Sequence, residues 1–142
     1  EFLEDEMLAH DMLLRMKGLE VEIECDEGLT WYFDSMLIKN VLNNVIVNTI
    51  RYTKDRLKVA VESVDGYVRI SIEDNGRGFP EELCQDPGGY LTRINFNTGS
   101  TGLGLYFSAR VAELHRNGGR AGYIEVDNNS TIGGGAFRIY IP

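Results

Sequence analysis

Three groups of residues in this chain have the types and spacing to do chemistry. The first is Asn40, Asn44, Asn48 and Arg51, inside the segment Ser35 to Thr53. At 100° per residue they share one narrow stripe of a helix, opposite Ile38, Val41, Leu42, Val45, Ile46 and Thr49. Asn costs roughly half a kcal/mol against Ala in a helix interior, so Asn40, Asn43, Asn44 and Asn48 together ask for a reason. Amides at i and i+4 turn neutral carbonyl oxygens to one side, which suits a hard cation or a hydrogen-bonding ligand. A solvated face that tolerates Asn fits the same stripe. The second group is Asp74-Asn75-Gly76-Arg77-Gly78-Phe79. A carboxylate at a strand end, followed by glycines, lets backbone approach a flat ligand and lets the acid accept from an exocyclic amine. A plain Asx turn is the simpler alternative. The third is Gly99-Ser100-Thr101-Gly102-Leu103-Gly104-Leu105, ahead of an apolar helix. Backbone N–H groups at such a helix start can hold anions such as phosphates. It is not a P-loop, because no Gly-Lys-Ser/Thr follows, and it lacks the strand-first context of a Rossmann fingerprint.

The chain that carries these groups has 142 residues, enough for one domain with a proper core. Its 43% apolar and 25% charged residues are those of an ordinary globular protein. A net charge of -8 and the lack of a basic run argue against nucleic acid as a partner. No apolar run reaches the length of a membrane span, and no signal peptide is visible. Cys25 and Cys84 stand singly, outside any metal-ligand spacing, and read as reduced thiols of a cytosolic protein.

The elements that must position the three groups follow from periodicity and punctuation. Phe2 to Lys17 has a loose helical period (Leu3, Met7, Leu8, Met12, Leu14) that Gly18 ends. Leu19 to Cys25 alternates as a strand with an acidic outer face, and Leu29 to Phe33 reads as a second short strand. Asp34 and Ser35 are N-cap types at the start of the Asn-rich helix. Leu57 to Val64 and Tyr67 to Glu73 are strands joined by Asp65-Gly66, a strong hairpin signal. Residues 75–101 show no sustained period, as expected of a functional or mobile loop. Gly102 to Arg116 is an almost wholly apolar helix that Asn117-Gly118-Gly119 stops. Tyr123 to Val126 and Phe137 to Ile141 close the chain as strands. Strands outside βαβ alternation, with helices gathered on one face, predict a two-layer α/β (α+β) sandwich.

Taken together, the Asn helix, Asp-x-Gly-x-Gly and Gly-x-Gly at a helix start resemble the motif set of the Bergerat-fold ATP-binding superfamily, which includes gyrase, the MutL proteins and sensor histidine kinases. DNGRGFP, the spacing in NVIVN, the following RYT, and STGLGLYFSARVAELH resemble specifically the catalytic ATP-binding domain of a two-component histidine kinase. The likeness runs from about Leu3 to Pro142. It implies a mixed, mostly antiparallel sheet with about three helices on one face and a mobile ATP lid over approximately residues 80–101. It implies a single catalytic domain over residues 1–142, without the dimerisation and phosphoacceptor hairpin.

Residue by residue, the resemblance implies that Asn48 coordinates Mg²⁺ and that Asn44 assists at the phosphates or at metal-bound water. Arg51 would contact phosphate, and Tyr52 would line the nucleotide site. Asp74 would bind the adenine amino group, with Gly76 and Gly78 shaping the wall. Thr101, Gly102, Leu103, Gly104 and Leu105 would form the phosphate-binding segment. The superfamily's ATPases carry Glu at the position of Asn44, as general base on water. A neutral amide cannot take that proton near neutral pH, which favours phosphoryl transfer to a protein nucleophile over hydrolysis. His10 reads as an exposed helix histidine and His115 as structural, near a helix C-terminus. The acceptor histidine is then expected on a separate segment, with a response regulator served indirectly. The expected setting is a monomeric cytoplasmic domain of a membrane-anchored parent, without direct membrane contact. Two other readings remain: a degenerate nucleotide- or partner-binding domain, and a stand-alone serine kinase or ATPase of the same superfamily.

Overall fold

The computed structural model describes residues 2–26, 28–85 and 103–142. Its organising element is α3, Ser35–Tyr52. Asp34 caps it, its carboxylate accepting from the backbone N–H groups of Met36 and Leu37 at 3.1 Å each. The cap fixes the helix phase, and Ile38, Val41, Leu42, Val45, Ile46, Thr49 and Ile50 are buried on one side. Thr49 tolerates burial because its hydroxyl donates to the Val45 carbonyl at 2.7 Å. The Asn residues all fall on the exposed side.

That apolar side packs on a five-stranded sheet of order β1-β2-β3-β7-β6, formed by Glu20–Cys25, Arg56–Val64, Tyr67–Asp74, Ala136–Ile141 and Tyr123–Asp127 respectively. β1 and β2 pair in parallel, with α3 as the crossover between them, and every other neighbouring pair is antiparallel. Leu57, Val59, Val68, Ile70, Ile72, Phe137, Ile139 and Ile141 form the core with α3 and with α5, Leu103–Leu114. Truncating a fully buried member such as Leu42 to Ala would cost about 2–5 kcal/mol. The β2–β3 turn is the expected one: Asp65 at φ 50° and Gly66 at φ 84° give the left-handed pair of a type I′ hairpin.

Several expectations need correction. The first helical segment is two helices, α1 (Phe2–Ala9) and α2 (Asp11–Met16). Its loose apolar spacing does not hold one straight stripe. The break turns His10 inward: it is only 8% exposed, not a surface histidine. Leu29 to Phe33 is irregular coil and not a strand. Its alternation is real, with Leu29, Trp31 and Phe33 against the core and Tyr32 91% exposed, but β1 already occupies the edge of β2. Asn117 to Gly119 belongs to a two-strand hairpin, β4 (Arg116–Asn117) and β5 (Arg120–Ala121), beyond the end of α5. A short helix α4, Glu81–Gln85, lies inside residues 75–101, the segment expected to be irregular. Most of the expected lid, residues 86–101, lies outside the described residues.

Candidate functional site

The exposed seam of α3 faces the start of α5. Asn44, Val47, Asn48, Gly104 and Phe107 line an open cavity of about 390 Å³ between the two helices. A Cβ built on Gly104 would sit 3.9 Å from Asn48 Nδ2 and 4.0 Å from Asn44 Cβ. The Asn pair and Gly104, 56 positions apart from Asn48 to Gly104, thus meet in space. Leu103 opens α5, and Leu105 is half-buried against the core. Thr101 and Gly102 lie outside the described residues. Arg51 is exposed in the last turn of α3, and Tyr52 is half-buried with the Arg77 guanidinium 5.5 Å from its ring centre. Neither Arg51 nor Tyr52 lines the cavity; both stand on the last turn of the same helix.

Asp74 ends β3 and is only 7% exposed. A buried carboxylate is costly unless it is hydrogen-bonded, and its Oδ1 accepts from Gly76 N–H at 2.8 Å and Gly135 N–H at 3.2 Å. Its own N–H donates to the Gly135 carbonyl at 3.0 Å. Among the described residues, Oδ2 carries no hydrogen bond. The surroundings have no room for side chains. A Cβ on Gly134 would lie 2.5 Å from Asp74 Oδ1, and one on Gly135 would lie 2.8 Å from the Phe79 ring. A Cβ on Gly76 would collide with the carbonyl of Tyr52. The strand end and the C-terminus of α3 are therefore in backbone contact.

Gly78 has φ +83°, and a Cβ there would meet the Asn128 amide. That amide imitates a strand partner for Phe79: Oδ1 accepts from Phe79 N–H at 2.7 Å and Nδ2 donates to its carbonyl at 3.0 Å. Sequence reasoning missed Asn128, Gly134 and Gly135 as parts of this site, and it assigned no role to Asn75 within its motif. The Gly133-Gly134-Gly135 run was the one available signal for the last two. Asn128 has no local signature, because its partner is 49 positions away.

His115 does turn out structural. Its Nε2 accepts from the backbone N–H of Asp34 at 3.0 Å, so Nδ1 carries the proton and donates to the Val111 carbonyl at 2.8 Å. This ties the end of α5 to the N-cap of α3. Among the described residues, no group of three or more His, Cys, Asp and Glu could hold a metal ion.

Residues 33–142 match the family described as histidine kinase-, DNA gyrase B-, and HSP90-like ATPase, and the chain belongs to that family. It is 30% identical over 94 residues to the sensor protein BasS of Escherichia coli (strain K12), covering 65% of this chain and 26% of BasS. It is 28% identical over 131 residues to the sensor histidine kinase HprS of the same organism, covering 89% of this chain and 26% of HprS. The solved catalytic domain of the histidine kinase ThkA superposes with a TM-score of 0.82 at 27% identity, covering 99% of this chain and 91% of that one. The chain therefore has the α/β fold of histidine kinase catalytic domains and spans about a quarter of the length of these two sensor proteins.

Proposed function

We propose that this domain binds Mg-ATP and donates its γ-phosphate to a histidine on a separate dimerisation and phosphoacceptor segment. The observation that carries the reading is Asp74: a buried carboxylate oriented by two backbone amides, in a glycine cradle that a single Cβ would fill. Such a cradle fits a flat ring edge, with Oδ2 accepting from an exocyclic amine. At the other end of the ligand, Asn44, Asn48 and Gly104 face one open cavity, the right setting for a phosphate chain.

The donor set also fits a magnesium ion that arrives with the nucleotide. Asn48 supplies one neutral amide oxygen, too little to hold Mg²⁺ alone, and phosphate oxygens would complete the shell. When bound, the ion neutralises charge on the phosphates during transfer. The chain's own residues position and shield. Asn48 orients the metal-bound end, while Arg51 and Tyr52, on the last turn of α3 outside the cavity lining, would reach the phosphates with a cation and wall the site towards Asp74. Asn44 orients polar groups without accepting a proton, so water gains no general base from it. The attacking imidazole comes from the acceptor segment. His115 is committed to Asp34 and Val111, and His10 is buried in the helical layer.

The test is transfer of labelled γ-phosphate from ATP to a supplied dimerisation and phosphoacceptor segment. We expect label on a histidine of that segment, dependent on Mg²⁺ and lost in Asn48→Ala. Nucleotide binding without transfer to any such segment would instead support a degenerate binding domain.

A further inference from the structure

We propose that Asn75 is a positioning residue that sets the adenine end of the site at the correct distance from the phosphate end. The inference rests on the nucleotide reading above. Asn75 follows Asp74 directly, yet its side chain points back to the turn after α3. Its Oδ1 accepts from the backbone N–H groups of Asp55 at 3.1 Å and Arg56 at 3.0 Å. The Thr53 hydroxyl lies 3.1 Å from the same oxygen and 2.7 Å from the Arg56 carbonyl, so its single proton is shared. Asn75 Nδ2 donates to Asp55 Oδ1 at 2.6 Å. One amide thus holds three successive parts of a turn: the C-cap of α3, the residue before β2, and the first residue of β2.

This clamp sits where the two halves of the site join. Asn48, Arg51 and Tyr52 ride on α3, whereas Asp74 rides on β3. Beside the clamp, the Tyr52 carbonyl leaves no space for a Cβ on Gly76. A nucleotide must satisfy both halves at once, and binding to two linked subsites depends on their spacing matching the ligand. A fragment that meets only one half is indifferent to that spacing.

The measurement is the ratio of Mg-ADP to adenosine affinity, by calorimetry for the first and by NMR titration for the second. We expect Asn75→Ala to weaken Mg-ADP by about tenfold and adenosine by less than about twofold. Asn75→Asp keeps the oxygen that accepts from the turn but sets a second carboxylate against Asp55, so the ratio should fall there too. Adding Asp55→Asn to Asn75→Asp restores a donor and an acceptor with their places exchanged, and the ratio should recover. A purely structural role would lower the melting temperature of these variants and leave the ratio unchanged, which overturns the inference alone. Absence of Mg-ADP binding in the wild type overturns it together with the nucleotide reading.

Discussion

At the scale of single residues, charge and hydrogen-bond direction decide what the site accepts. Asp74→Asn preserves shape but can place an N–H where the proposed function needs an acceptor for an amine donor. Losing a charge-assisted hydrogen bond of about 1.5–3 kcal/mol should weaken ATP binding by roughly 10–150-fold, read by calorimetric titration with the melting temperature as control. Asn44→Glu puts a carboxylate into the cavity between α3 and α5. We expect ATP hydrolysis to rise by about tenfold or more, as a general base becomes available; an unchanged rate would separate Asn44 from the water-activating position. The cysteines offer a check on local geometry. Burial pushes the Cys84 thiol up, with Asp127 and Glu81 adding to the shift, whereas Cys25 is exposed. A raised pKa leaves less thiolate at a given pH. Alkylation near pH 8 followed by mass spectrometry should therefore label Cys25 first.

At the scale of elements, the site depends on how α3 is anchored at both ends. Asp34 caps its N-terminus and receives His115 from the end of α5, while Thr53 and the turn after it meet Asn75. Asp34→Ala should lower unfolding free energy by about 0.5–2 kcal/mol. His115→Ala should cost about 1 kcal/mol by loss of the bond to the Asp34 amide. Denaturant midpoints, with unchanged slopes, would read both. These anchors also mark how far the sequence could be read. The phase of α3 and the Asp65-Gly66 hairpin follow from local periodicity and turn chemistry, and both are present in the fold. Local alternation misassigned Leu29 to Phe33, because a strand needs a free partner edge and the alternation alone does not supply one. The inward turn of His10 and the amide clamps of Asn75 and Asn128 rest on contacts between distant segments. Nothing in a short window of sequence encodes them. The site was legible where a motif is contiguous, as at Asp74 to Gly78. It was not legible where the third wall, Gly134 and Gly135, arrives from another loop.

For the whole molecule, the fold brings a helix seam, a strand end and a helix start to one side of the helical layer and sheet. The matched relatives extend well beyond a chain that spans about a quarter of them. Metal and nucleotide should act as one ligand: Mg²⁺ titrated without nucleotide should give no saturable heat, since Asn48 offers only one neutral oxygen. The most direct test is calorimetric titration with a non-hydrolysable ATP analogue, with and without Mg²⁺, on the wild type and on Asp74→Asn. We predict saturable binding to the wild type that weakens without the metal and weakens further in Asp74→Asn. A wild type that binds no nucleotide under either condition would contradict the proposed function and leave a domain of this fold acting through protein contacts.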